Sequence, residues 1–175
     1  KYFDDKALIM PKKPTIGRPH ILTPIYHFQM DLMYYEGTTI LCIISVRSRR
    51  AYVYILKDKT AQEVAQGFQK FLVDSILTGS PAAVWTDEGR EFVNATFTEL
   101  LKQEQIMHVV IPPEEHDRLG IVERFNRTLR RRLALLSSPN WKTQFQDVVL
   151  GYNTTVHSIT GKAPNDTLED NEPPA

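Results

Sequence analysis

The 175-residue chain carries 21 lysines and arginines against 21 aspartates and glutamates, 42% apolar residues and a single cysteine. This is the composition of one ordinary globular domain, large enough to fold without staples, and the lone Cys42 excludes a disulfide framework or a paired-cysteine zinc site. The longest apolar stretch, residues 40–46, falls far short of the ~20 residues of a membrane span, the first six residues lack signal-peptide character, and zero net charge taken globally points away from nucleic acid.

Residues 1–24 hold Pro11, Pro14, Pro19 and Pro24 among five basic side chains and read as an extended basic arm. The folded domain is expected over residues 25–164. It opens with three strand-like runs, 26–33, 39–46 and 51–56, separated by turns short enough for antiparallel hairpins. In the first run Phe28, Met30 and Leu32 alternate with His27, Gln29 and Asp31, the period of a strand with two different faces. The second run is continuously apolar, as a central strand covered on both sides should be. Thr60 and Glu63 then form a capping box before a helix with Val64, Phe68, Phe71, Leu72 and Ile76 on one stripe, stopped by Gly79-Ser80-Pro81. A short strand over 82–85, a helix from about Asn94 and a fifth strand over 107–111 follow, and Pro112-Pro113 closes the last of these. Residues 114–120 read as a loop. Val122, Phe125, Leu129, Leu133 and Leu136 then recur at helical spacing, as do Trp141, Phe145, Val148, Val149, Tyr152 and Val156, with His157 a structural member of that last helix. Residues 165–175 contain four acids, no base and a Pro173-Pro174 end, and read as an acidic tail or linker. Three antiparallel strands followed by alternating helices and strands imply an α/β fold with a mixed sheet.

Three acids stand where chemistry is done. Asp31 interrupts a strand, a position aspartate disfavours; Asp87 follows the fourth strand, at the end where open α/β sheets bind ligands; Glu123 opens a helix. If the first and fourth strands are neighbours, the three converge, and a pair of carboxylates ~4 Å apart repels by about 4 kcal/mol at an effective dielectric of 20. Divalent cations would neutralise them, and an all-oxygen donor set suits Mg²⁺ or Mn²⁺. Taken singly, each acid also has an ordinary reading: a solvated strand position, a turn residue, a first-turn acid facing the helix dipole.

Their surroundings carry a resemblance. Trp85-Thr86-Asp87-Glu88-Gly89-Arg90-Glu91-Phe92 resembles the Thr/Ser-Asp-x-Gly-x-Glu-Phe motif of the retroviral-type integrase catalytic core. Val122-Glu123-Arg124-Phe125-Asn126-Arg127-Thr128-Leu129 resembles its Val-Glu-Arg-x-Asn-x-x-Leu helix, and the 35 residues between Asp87 and Glu123 are the spacing of its Asp, Asp-35-Glu (DDE) signature. Phe28-Gln29-Met30-Asp31-Leu32 and the segment Tyr152-Asn153, His157, Thr160-Gly161, Pro164 resemble its first strand and closing stretch. Among subfamilies the chain is similar to integrases of retrotransposons and of Polinton- or Maverick-like elements. It departs from the pattern at Glu88, where Asn or Gln is common, and over residues 114–120, whose acids are unusual in a loop that approaches DNA.

The resemblance implies an RNase H-like fold with a five-stranded mixed β-sheet flanked by helices. It further implies a metal-dependent polynucleotidyl transferase performing DNA 3′-end processing and strand transfer, with two Mg²⁺ (or Mn²⁺) ions held by Asp31, Asp87 and Glu123 as catalytic and metal ligands. Asn126, Arg127 and Arg130 share Glu123's helical face and are the DNA-binding candidates. Arg47, Arg49 and Arg50 form a weaker basic patch, read as a solvated turn. Expected partners are element ends and target DNA, with a homo-oligomer (dimer or tetramer) on DNA, no membrane and no small-molecule cofactor. The family places such proteins in the nucleus or a virus-like particle, not among secreted proteins. The family's His/Cys zinc module and its carboxyl-terminal domains are not recognisable, so the chain reads as a catalytic core from a longer protein. Two alternatives compete: an RNase H-superfamily nuclease that only hydrolyses, and a domesticated, inactive core that binds DNA or oligomerises. Net charge zero is a sum over segments: residues 118–132 hold six arginines against one glutamate, and the acidic tail offsets them.

Overall fold

The computed structural model describes residues 25–78, 80–137 and 139–167. The basic arm, Gly79 of the expected helix stop and most of the acidic tail lie outside these residues. Strands β1 (His27–Tyr35), β2 (Thr38–Ser45) and β3 (Ala51–Leu56) form an antiparallel meander. Glu36 and Gly37 both take positive φ in the first turn, the backbone a two-residue hairpin of this hand requires. Helix α1 (Ala61–Asp74) leads to β4 (Ala83–Thr86), α2 (Ala95–Gln103) and β5 (Met107–Val110), and then to α3 (Gly120–Leu135) and α4 (Trp141–Thr154). The sheet order is β3-β2-β1-β4-β5, with β4 parallel to both β1 and β5. This is the expected five-stranded mixed, RNase H-like arrangement.

Alternation divides the core into two. Phe28, Met30 and Leu32 of β1 and Leu41 and Ile43 of β2 face α1 and α2, meeting Val64, Phe68, Phe71, Phe97 and Leu101. Met33, Ile40, Cys42 and Ile44 face the other way, onto Val122, Phe125, Leu129 and Leu133 of α3 and Trp141, Phe145 and Tyr152 of α4. The continuous apolar run of β2 is therefore two alternating sets, each covered by a helix pair. Gly67 lets α1 approach closely: a Cβ there would lie 2.9 Å from side-chain atoms of Leu41 and Leu56.

Several boundaries differ from the sequence expectation. Only half the capping box forms: Thr60 Oγ1 accepts from Glu63 N at 3.4 Å, while Glu63 Oε2 accepts from Lys57 N and Thr60 N donates to Asp58. Helix α1 stops at Asp74, before Gly79, because Ser75 closes it through N–H bonds to Phe71 and Val73; Ile76 is left exposed, off the buried stripe. Residues expected as a loop form a 3₁₀ stretch, Pro113–Leu119, started by the proline and running straight into α3. Val156 is exposed and His157 lies past the end of α4, its ring on the Tyr152 carbonyl. Asn165 and Asp166, the first residues of the expected acidic tail, continue a 3₁₀ turn that begins at the last core residue, Pro164–Asp166. Among the described residues no helix is long and apolar enough to cross a membrane.

Candidate active site

Parallel pairing of β1 with β4 matches His27 to Ala83, Phe28 to Val84 and Gln29 to Trp85. Continued two residues further, that register sets Asp31 level with Asp87. Asp31 lies on the face of β1 covered by α3, and its Oδ2 accepts from Asn126 Nδ2 of that helix at 2.9 Å. Its Oδ1 accepts from Leu32 N at 2.9 Å. Burial pushes the Asp31 carboxyl up to about 6; the Leu32 bond opposes this, and the charges of Asp87 and Glu123 add to it.

Asp87 is fixed by its own turn, its Oδ1 accepting from Gly89 N at 2.8 Å. A Cβ on Gly89 would lie 2.8 Å from that carboxylate oxygen and from Glu91, so a side chain there would have to displace the two carboxylates. Buried Thr86 donates from Oγ1 to the Asp87 carbonyl at 2.8 Å, anchoring the end of β4. Glu123 Oε1 stands 2.6 Å from Nδ1 of His116, which reaches over from the 3₁₀ stretch. The isolated histidines of the sequence gave no hint of that contact.

A shallow depression of about 370 Å³ brings together Asp31, Glu123, Asn126, Arg127 and Arg130, with residues 32–34 of β1. Asp87 is coupled electrostatically to Asp31 but does not line that depression. Among the described residues no three His, Cys, Asp or Glu side chains stand close enough to share a metal ion. In chemistry the donors suit a hard divalent cation: they are oxygen ligands, mutually repelling, beside a buried Asn126 Oδ1 that has no hydrogen-bond partner.

Gln29, two residues before Asp31, has no motif of its own in the sequence but belongs to the site's framework. Only 2% exposed, it accepts through Oε1 from Ile121 N (3.1 Å) and Val122 N (3.0 Å) and donates from Nε2 to the Arg118 carbonyl at 2.7 Å. Helix α3 has no side-chain cap of its own, so a strand residue satisfies its first-turn donors. The guanidinium of Arg118, stacked 5.2 Å from the Trp85 ring, ties the same stretch to β4.

The raised Asp31 carboxyl makes a measurable cost. Below pH 3.8 both folded and unfolded chains hold the proton and nothing is lost; as pH rises to about 6 the unfolded state sheds it first, so stability falls. Above that window the loss is at most about 3 kcal/mol. Asp31→Asn removes the charge but forfeits one of the two accepted hydrogen bonds. In metal-free buffer it is expected to melt several degrees above wild type at pH 7.5 and level with it at pH 3.5. Equal melting at pH 7.5 would remove the desolvation argument.

No protein-family model matches the chain. It is 35% identical over 136 residues to a transposon-derived protein of Caenorhabditis elegans, an alignment covering 75% of this chain and 46% of that protein. It is 28% identical over 113 residues to the retrovirus-related Pol polyprotein from transposon 412 of Drosophila melanogaster, covering 62% of this chain and 9% of the polyprotein. The Pol polyprotein of equine infectious anemia virus is also 28% identical, over 107 residues, 61% of this chain and 9% of that protein. The chain thus spans less than half of these relatives. Its fold matches the catalytic core domain of BIV integrase with a TM-score of 0.68 and 22% identity, over 81% of this chain and 91% of that one. It matches a chain of the simian T-cell lymphotropic virus intasome with a TM-score of 0.76 and 20% identity, over 87% and 58%. The chain resembles retroviral-type integrase catalytic cores in sequence and has their fold.

Proposed function

We propose that this chain is the catalytic core of a DNA integrase, a polynucleotidyl transferase that trims a DNA 3′ end and joins it to target DNA. The observation that carries the reading is placement: the parallel β1–β4 pairing brings the strand ends bearing Asp31 and Asp87 side by side, and Asp31 shares one depression with Glu123 of α3. Asp31, Asp87 and Glu123 would hold two Mg²⁺ or Mn²⁺ ions, whose chemistry when bound is to activate a water or 3′-hydroxyl and to stabilise the leaving 3′-oxygen. The chain's own side chains supply placement. Arg127 and Arg130, on the rim of the depression, bind the phosphates on either side of the reacting bond, and Asn126 orients the Asp31 carboxylate through its amide. No covalent intermediate is required of the protein. Its partners are then element ends and target DNA, its working form a dimer or tetramer on DNA, and its setting the nucleus or a virus-like particle.

A nuclease of the same superfamily would use the same carboxylates, so the discriminating measurement is joining. The full chain, given a duplex with a recessed 3′ end, a plasmid target and Mg²⁺, should yield covalently joined DNA that is absent with EDTA. Hydrolysis without joining would support the nuclease. DNA binding with neither product would support the inactive module.

A further inference from the structure

On α3 the flank away from Glu123, Asn126, Arg127 and Arg130 borders a second cavity, of about 380 Å³, that shares no lining residue with the carboxylate depression. Its walls come from α3, the turn between β2 and β3, and the stretch following α4. Three arginines line it: Arg49, Arg124 and Arg132. Among the described residues no carboxylate lines it, and none forms an ion pair with any of the three. Its volume is that of a small-ligand site.

Arg49 is the unusual member. Expected in a solvated turn, it is half-buried, and its Nε has no hydrogen-bond partner among the described residues. Its φ of 64° is in the left-handed region, which costs a residue with a Cβ about 1 kcal/mol where glycine would sit freely. Burial works against the Arg49 charge; Tyr152 opposes this, and the like charge of Arg124 adds to it. A buried donor without an acceptor, and like charges gathered without an acid, are both relieved by one kind of occupant: an anion with several acceptor oxygens. The Arg132 guanidinium lies 5.7 Å over the ring of Tyr152, which packs edge-on against Phe125 with ring centres 4.7 Å apart, so one of the three is held by a rigid aromatic support.

We propose that this cavity is a binding site for a phosphate group, held by Arg49, Arg124 and Arg132 and carried either by a small polyphosphate or by a nucleic-acid backbone. The site stands on these arginines alone and does not depend on the integrase reading.

Inorganic pyrophosphate, titrated into the full chain at low ionic strength by calorimetry and thermal melting, is the probe. It should bind and raise Tm. The pair Arg124→Gln with Arg132→Gln should weaken binding by at least about tenfold. Arg49→Gly relaxes the backbone while deleting the guanidinium, so it should keep the wild-type Tm without ligand and lose affinity similarly. Arg131→Gln, on the same helix and outside the cavity, should bind as wild type. Absent pyrophosphate binding, or equal binding by wild type and Arg49→Gly, overturns the site. A short DNA duplex then assigns the source. Displacement of pyrophosphate by DNA, with a shallower salt dependence in Arg49→Gly, marks a backbone phosphate, whereas DNA binding indifferent to Arg49 marks a free polyphosphate.

Discussion

Glu123→Gln is expected to lower DNA joining by at least about a thousandfold, roughly 4 kcal/mol of lost transition-state stabilisation, with the melting temperature almost unchanged. The two side chains have the same shape, and the glutamine oxygen can still accept from His116 Nδ1, the 2.6 Å partner of Glu123. Glu123 is also part-exposed on the first turn of α3, so neither packing nor helix formation depends on its charge. What the substitution removes is one negative charge from a group of three. Asp31 is pushed up partly by that charge and should titrate lower in the variant, an independent sign that the two carboxylates sense each other. Activity and fold thus separate cleanly. A folded Glu123→Gln protein that joins DNA at the wild-type rate would take Glu123 out of the reacting set and leave the three-carboxylate assignment without its helix member.

The features legible in the sequence are those written by local periodicity or by short motifs. Alternation at Phe28, Met30 and Leu32, the apolar run of β2 and the stripe of Val122, Phe125, Leu129 and Leu133 specify faces without reference to distant residues, and each faces the core as expected. Asp87 and Glu123 were legible for a similar reason, since each sits in its own local motif. Other features depend on partners far along the chain. Gln29 meets residues 118–122 across about ninety positions, a pairing no window of sequence contains. His116 reaches Glu123 only because residues 113–119 coil as a 3₁₀ stretch, where paired prolines and charged residues read as a loop. Arg49 looked solvated because basic hairpin turns ordinarily are; its left-handed backbone and the cover from the residues after α4 are consequences of tertiary packing. The apparent contradiction between a neutral chain and the proposed polyanionic substrate dissolves in the same way, since the arginines are concentrated along α3 on two separate flanks.

Gln29→Leu is expected to destabilise the chain by about 3 kcal/mol, because each buried backbone group left without its partner costs about 1–3 kcal/mol. Three lose their partner at once: the buried N–H of Val122, and the part-buried N–H of Ile121 and carbonyl of Arg118. For a chain of this length that loss lowers Tm by about 6–12 °C, readable in a simple thermal melt. The consequence for activity is larger than the loss of stability suggests. Gln29 belongs to the strand that carries Asp31, and the residues it holds immediately precede Glu123, so one side chain sets how the two carboxylates face each other. Joining should therefore fall at temperatures where the variant is still fully folded, whereas a merely structural residue would lose activity only along its melting curve. Gln29→Glu separates the two roles. Its carboxylate can still accept from Ile121 and Val122 N–H, at a helix N-terminus that favours negative charge, but cannot donate to Arg118. It should recover much of the stability lost in the leucine variant. It also adds a second acid on the Asp31 face of β1, a fourth beside the three carboxylates, which raises the Asp31 carboxyl further and opposes its ionised form. A Gln29→Leu protein that melts with wild type would show that α3 finds its first-turn hydrogen bonds elsewhere, and that β1 does not fix the position of Glu123.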